Sequence, residues 1–238
     1  MLRAVARLSR QRLIMLLAAV GVAVVAVVVV VAFAGNGGGS SSADTTTVST
    51  TGNTNAFKGV PQNGLTLGKA SASSTLYVFE DPQCPYCRQW SIDTVASAVN
   101  EFVKTGQVKF VLNPIEIIGA DSEPGIRAVY AASQQNKAWN MMEALYRRQG
   151  EEQSGWITNS VIADAASSVG ASTTELKKAM PTAAVTALWR ASEQRAQQWG
   201  VGGTPTFVLV RQLGTPQQVT PSSLEPSDFS AALRSALQ

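Results

Sequence analysis

Hydrophobic and polar positions divide the chain into three stretches of different kind. Leu13 to Ala34 reads LIMLLAAVGVAVVAVVVVVAFA, 22 residues with no charge and no polar face. As a helix it spans about 33 Å, enough to cross a bilayer core of about 30 Å, and its all-round apolarity argues against a buried core helix. Arg3, Arg7, Arg10 and Arg12 precede it with no acid among them. By the positive-inside rule, residues 1–12 are expected to be a cytoplasmic basic tail, residues 13–34 a single-pass transmembrane anchor, and everything beyond Ala34 extracytoplasmic. Ala32-Phe33-Ala34 also fits a small-x-small cleavage site, so removal as a signal peptide stays open, although the apolar run is longer than the usual ~7–15 residues. Residues 35–57 (GNGGGSSSADTTTVSTTGNTNAF) are almost without apolar side chains. They are expected to form a flexible linker with a reach of about 25 Å.

From residue 58 to 238 the pattern alternates between the periods of strands and helices. Leu76-Tyr77-Val78-Phe79 is a short β-rich run closed by Asp81-Pro82. Pro85 is placed for a first helical turn, and Ile92, Val95, Ala96, Val99, Phe102 and Val103 follow at helical spacing until Gly106. Val108 to Leu112 reads as a second buried strand, which completes a βαβ unit. Residues 122–199 are rich in Ala, Gln, Met and Arg with helical periodicity, broken near Gly150, Gly170 and Pro181. Ser172-Thr173-Thr174-Glu175 has the form of a capping box, and four or five helices are expected in this stretch. Strand character returns at Thr206 to Val210, with a turn at Gly214-Thr215-Pro216 and a weaker run at Gln217 to Thr220 suggesting a hairpin. Ser227 to Leu237 reads as a last helix with Ser227 as its cap. The expected fold class is α/β, a sheet domain interrupted by a helical insertion.

Composition then narrows the chemistry. Without the four arginines before the anchor, 15 of the 19 cations remain against 16 acids, so the folded part lacks the basic excess of a nucleic-acid-binding domain. The chain has no histidine, which excludes Ser-His-Asp and Cys-His triads and His-ligated zinc. Its two cysteines cannot fill a tetrahedral zinc shell, so no metal and no cofactor is expected.

Those cysteines, Cys84-Pro85-Tyr86-Cys87, lie between the first clear strand and the first helix of the βαβ unit, the context in which a CxxC is informative. At a helix start Cys84 faces unsatisfied backbone N–H groups and the positive end of the helix dipole, both of which favour thiolate. Cys84 is therefore expected to have a depressed pKa and to be an exposed nucleophile. Cys87, one turn into the helix, is placed to attack a mixed disulfide at Cys84. A purely structural disulfide would close a very small loop, where the entropic gain is least. A second constellation, Gly202-Gly203-Thr204-Pro205-Thr206-Phe207, opens the later strand. Pro205 reads either as a loop-ending proline or as a cis-proline beside the CxxC, exposing the Thr204 backbone to an extended substrate segment.

Together these motifs resemble the thioredoxin superfamily and, within it, the DsbA-like disulfide oxidoreductases. Phe79-x-Asp81-x-x-Cys84-Pro85-Tyr86-Cys87 is similar to that family's active-site strand and motif, and Gly203-Thr204-Pro205-Thr206-Phe207 to its cis-proline loop. The 118 residues from Cys87 to Pro205 leave room for the helical insertion of such proteins. The resemblance covers residues 58–238 and implies a thioredoxin-like fold, with Cys84 as attacking thiol, Cys87 as resolving thiol, and Thr204 and Pro205 as substrate contacts. It also implies partners: exported proteins with cysteines, and a membrane redox partner of the DsbB or vitamin-K-epoxide-reductase type. Two positions depart from the family pattern. Val78 stands where many relatives carry a buried acid, with Glu80 on the same strand face as a candidate substitute for proton transfer. The dipeptide Pro85-Tyr86 lacks the histidine of the most oxidising relatives.

The expected activity is thus disulfide formation in exported proteins. A reductase or isomerase kept reduced by a membrane donor, and a tethered binding or chaperone module, remain as alternatives. For Glu80 and Asp81 the bland expectation is a solvated strand end or a helix-start partner. Trp139, Tyr146, Trp156, Trp189 and Trp199 read as core and Trp90 as a shaper of the active-site rim, with Met141-Met142 as gap-fillers.

Overall fold

The computed structural model describes residues 56–212 and 214–238. The basic tail, the expected anchor at 13–34 and the linker as far as residue 55 lie outside them. Among the described residues no helix is long and apolar enough to cross a membrane. The expected linker ends earlier than its composition suggests, because Ala56 and Phe57 are buried. Phe57 packs against Trp139, with ring centroids 5.9 Å apart.

Six strands form one sheet in the order β1-β2-β4-β3-β5-β6. A hairpin of two very short strands, β1 (Gln62–Asn63) and β2 (Thr66–Leu67), comes first. Strand β3 (Ser74–Glu80) and strand β4 (Val108–Pro114) pair in parallel, Ser74 with Val108 and Glu80 with Pro114. On the other side of β3, strand β5 (Thr206–Arg211) runs antiparallel and sets Thr206 against Phe79. Strand β6 (Gln217–Val219) completes the expected hairpin at the edge. The hairpin β1–β2 gave no signal in the sequence, since two residues per strand are too few to show an alternation.

The helix that connects β3 to β4, here α1, covers residues 85–103. Its α-helical turns Pro85–Gln89 and Val95–Ala98 alternate with π-helical turns Trp90–Thr94 and Val99–Val103. The cause lies in the buried positions, which come in the pairs Trp90-Ser91, Thr94-Val95, Ala98-Val99 and Phe102-Val103, four residues apart. At 3.6 residues per turn such a stripe would drift around the helix. The wider π turns hold it on the sheet, and Ile92 and Ala96, expected in the core, are only half-buried as a result. Gly106 ends the helix at a positive φ of 81° that side chains rarely adopt.

A 3-10 turn (Ala120–Ser122) leads into five helices: α2 (Glu123–Ser133), α3 (Ala138–Tyr146), α4 (Asn159–Ser168), α5 (Thr173–Ala179) and α6 (Ala183–Gln198). Ser172 caps α5 as its sequence suggested, its side chain accepting from the Glu175 N–H. The final helix α7 (Pro226–Leu237) is capped at Glu225, not at Ser227. Pro226 fits the first helical position and draws Ser227 into the first turn. One sheet face carries Leu76 and Val78 into the main core with Trp90, Phe207 and Phe229. The opposite face packs Phe79, Ile115 and Val208 under Ala196 of α6, with Tyr77 and Trp199 at its margin. The result is a thioredoxin-like α/β fold with a helical insertion, as expected.

Candidate active site

The site begins where β3 turns into α1. Cys84 is the N-cap residue, in an extended conformation, and the Cys87 N–H points at its sulfur over 3.3 Å. Pro85 occupies the first helical position, where a missing N–H costs nothing. The Thr204–Pro205 peptide is cis, as the second of the two sequence readings required. The Cys84 thiol donates to the Thr204 carbonyl at 3.2 Å, so residues 120 apart in the chain meet at one sulfur. The structure therefore brings Cys84, Cys87, Pro85, Tyr86, Thr204 and Pro205 together.

Both cysteines are free thiols. Cys84 falls from 9.0 to about 7, chiefly through the hydrogen bond from the Cys87 side chain; burial opposes this, and the Thr204 side chain and the Cys87 and Tyr86 backbone N–H groups add to it. The Thr204 hydroxyl is buried and makes no hydrogen bond within ordinary distance and angle limits among the described residues. Cys87 shifts the opposite way, well above the ordinary thiol range, first through burial, then through its hydrogen bond to Cys84 and the Glu80 charge. Two thiols three positions apart thus have opposed acidities, which is the asymmetry that an attacking and a resolving sulfur require.

The expectation of an exposed Cys84 is corrected by its position: only 2% of the residue is accessible. The helix start that acidifies the sulfur also encloses it beneath the Thr204-Pro205 loop. Pro85 and Tyr86, the latter 65% exposed, are the part of the motif that faces solvent. Beside it a groove of about 310 Å³ is lined by Tyr86, Thr204, Pro205, Val219, Pro221 and Leu224. Trp90 does not shape this rim. It is fully buried, with its ring centroid 5.1 Å from that of Phe207 and 5.7 Å from that of Phe229.

Glu80 and Asp81 are not a solvated strand end, because both are buried. Glu80 Oε1 has no hydrogen-bond partner among the described residues. Burial, and after it the Cys84 charge, raise its carboxyl well above the usual carboxylate range. Asp81 has the reverse environment. Its Oδ1 accepts from the Gln83 N–H at 2.8 Å and the Ser122 hydroxyl at 2.6 Å. Its Oδ2 accepts from the N–H groups of Ile117 at 2.7 Å and Ile118 at 2.8 Å. Four donors compensate the buried charge and tie the loop before Cys84 to the loop after β4. Little in the local sequence separates these two acids, since three of the four donors around Asp81, from Ile117, Ile118 and Ser122, come from residues more than 30 positions away.

Sequence reading also missed the groups that the helical insertion sends to this loop. The Tyr146 hydroxyl donates to the Asp81 carbonyl at 3.1 Å, and the Gln149 amide to the carbonyls of Pro82 at 3.0 Å and Cys84 at 3.1 Å. Gln83 Nε2 donates to the Ser122 hydroxyl at 2.9 Å, while its Oε1 accepts from the Gln153 N–H at 2.7 Å. Polar residues in a helix or loop leave no signal that they will meet a redox motif more than 60 positions earlier.

Comparison with known proteins bears on the family and the fold. The sequence pattern of the family described as Thioredoxin matches residues 61–220. A probable disulfide bond formation protein D from Bacillus cereus is 26% identical over 157 residues, covering 63% of this chain and 72% of that protein. The crystal structure of oxidised BdbD from Bacillus subtilis is similar in fold, with a TM-score of 0.61 at 19% identity, covering 75% of this chain and 97% of its own. A thioredoxin-like oxidoreductase from Silicibacter pomeroyi is 29% identical, with a TM-score of 0.57, over 74% of this chain and 91% of its own.

Proposed function

Since the chain belongs to the thioredoxin family and is a thiol–disulfide oxidoreductase, we propose that it forms disulfide bonds in exported proteins from a membrane-tethered, extracytoplasmic position. The observation that carries this reading is the place of the Cys84 sulfur at the start of α1, capped by the Cys87 N–H and set against the Thr204 carbonyl.

In the oxidised protein a substrate thiolate attacks Cys84 Sγ. The Cys84–Cys87 bond breaks, a mixed disulfide forms, and Cys87 leaves as the sulfur that most favours its proton. Glu80, whose buried carboxyl is shifted toward its protonated form, is the proposed proton source. The substrate's second thiolate then attacks its own sulfur in the mixed disulfide. This releases oxidised substrate and a Cys84 thiolate stabilised by the helix start. Attack by Cys87 instead returns the substrate reduced. Thr204 and Pro205 hold the substrate segment in the groove beside Tyr86. Two electrons remain on the Cys84/Cys87 dithiol, and a membrane oxidase of the DsbB or vitamin-K-epoxide-reductase type accepts them. The apolar run Leu13–Ala34, with its N-terminal arginines, supports the tether and the extracytoplasmic placement.

The test is reoxidation of a reduced, unfolded substrate by the oxidised full chain in detergent. Disulfides should form stoichiometrically and be lost in Cys84→Ser. An intact Cys84–Cys87 bond that transfers nothing would refute the reading. One observation favours the reverse direction of electron flow: a Cys84 near 7 matches the thiol of reducing thioredoxin, about 7, more closely than that of oxidising DsbA, about 3.5. A reduction potential near −120 mV selects the oxidase, and one near −270 mV the reductase or isomerase.

A further inference from the structure

We propose that Gln149 is a positioning residue of the redox pair. Its side-chain amide, reaching in from the helical insertion, grips the peptide carbonyls of Pro82 and Cys84 and so fixes the backbone N–H groups that face the Cys84 sulfur. The inference rests on the reading of Cys84 and Cys87 as the reacting thiols.

The geometry is specific to one group. A Gln amide has two N–H donors, and both are used, over 3.0 Å to Pro82 O and 3.1 Å to Cys84 O. The two carbonyls bracket residues 83 and 84. Because each peptide is planar, holding its oxygen holds the plane, and with it the torsions on either side of Cys84. The Cys84 carbonyl also accepts the first hydrogen bond of α1, from the Arg88 N–H at 3.1 Å. Gln149 therefore pulls on the same peptide that seats the helix start beneath the sulfur.

Gln149 is itself anchored. Its N–H donates to Tyr146 O at 3.2 Å, and that carbonyl also receives Arg88 Nε at 3.1 Å. The Tyr146 hydroxyl holds the carbonyl of Asp81 at 3.1 Å. The end of α3 and the residues just after it thus grip the carbonyls at 81, 82 and 84, while the active-site helix grips back through Arg88. If this clamp is released, the N-cap residue pivots, the Cys87 N–H loses its alignment with Sγ, and the thiolate loses a stabilising dipole.

The test uses the reduced full chain in detergent and reads the pH–rate profile of Cys84 alkylation, located by mass spectrometry. Gln149→Met keeps the length and removes both donors. Gln149→Glu keeps the shape and turns an acceptor toward two carbonyls. Gln135→Met, whose amide serves Ser172 at 3.2 Å, is the control. Wild type and control should show a midpoint near 7. Gln149→Met should alkylate about threefold more slowly at pH 6, Gln149→Glu about tenfold more slowly, and both should match wild type at pH 10, where the Cys84 thiol is ionised in every form. The glutathione equilibrium should move in parallel toward a less oxidising pair. A merely structural bond would lower the melting temperature and leave both readouts in place. Wild-type midpoints in both variants overturn the role of Gln149 while leaving the redox reading intact. An ordinary thiol midpoint in wild type overturns both. If the Met variant does not fold, the Glu variant decides alone.

Discussion

Within the sheet half, β3, α1 and β5 bring Cys84, Cys87, Glu80 and Thr204 together from neighbouring strands and the helix between them. The insertion, by contrast, supplies no thiol. Tyr146, Gln149 and Gln153, with Ser122 just before α2, all act on the backbone or side chains of the loop 81–84. The difference teaches how the work of a redox site divides. Acidity follows from a local motif at a helix start, whereas the exact direction of the groups that produce it is imposed from a distance. A short CxxC loop has too few contacts of its own to hold three carbonyls in place.

The largest break in that comparison is chemical. Cys84→Ser should reduce substrate oxidation to the uncatalysed rate, measured by free-thiol titration, because the insertion provides no alternative nucleophile. Next comes Asp81→Ala, which takes the acceptor from the buried Ser122 hydroxyl and from the N–H groups of Ile117 and Ile118. Urea denaturation should show a loss of about 3–5 kcal/mol, equal in the oxidised and reduced proteins, since the carboxylate serves structure in both.

The pH dependence of the reduced protein sharpens the contrast within the sheet half. Cys84, lowered from 9.0 to about 7, contributes stability that is fully present above about pH 9 and lost as pH falls through about 7. Glu80, raised, contributes stability that is present below its ordinary value and lost as pH climbs through its folded one. Glu80→Gln should therefore abolish the decline on the acid-to-neutral side and leave the gain between pH 7 and 9 untouched, as read from denaturation midpoints of the reduced form. It should also slow proton uptake at Cys87 during attack on the disulfide. The smallest effect belongs to the exposed surface of the insertion. Lys178→Ala removes a solvent-facing pair with Glu175, and its cost should stay below about 0.5 kcal/mol with no change in redox equilibrium.

Much of this arrangement was legible beforehand, for identifiable reasons. The CxxC between a strand and a helix marks the thiols, and Gly203-Thr204-Pro205 marks its counterpart, because both are short and their chemistry depends on local backbone. The helical character of the insertion announced itself by periodicity and by the Ser172 cap, with four or five helices expected and five found among the described residues. The strands β1 and β2 did not, being two residues long. The π turns of α1 were equally silent, since their cause is the sheet against which the helix packs. Glu80 and Asp81 looked interchangeable as neighbours in sequence. One became a buried carboxyl without a partner on Oε1, the other a carboxylate held by four donors.

The sequence alone determined which atoms can exchange electrons: two sulfurs at a helix start, in a chain without histidine, and a proline-led strand to face them. Those properties need only neighbouring residues, and neighbours in the chain remain neighbours in space. Tertiary structure decided how deeply Cys84 is enclosed, which of two adjacent acids is buried with an oxygen lacking a partner, and which distant amide grips the loop. Each of these depends on contacts between segments 30 or more residues apart, and burial and hydrogen bonding at that range exist only once the whole sheet and its insertion have closed on one another.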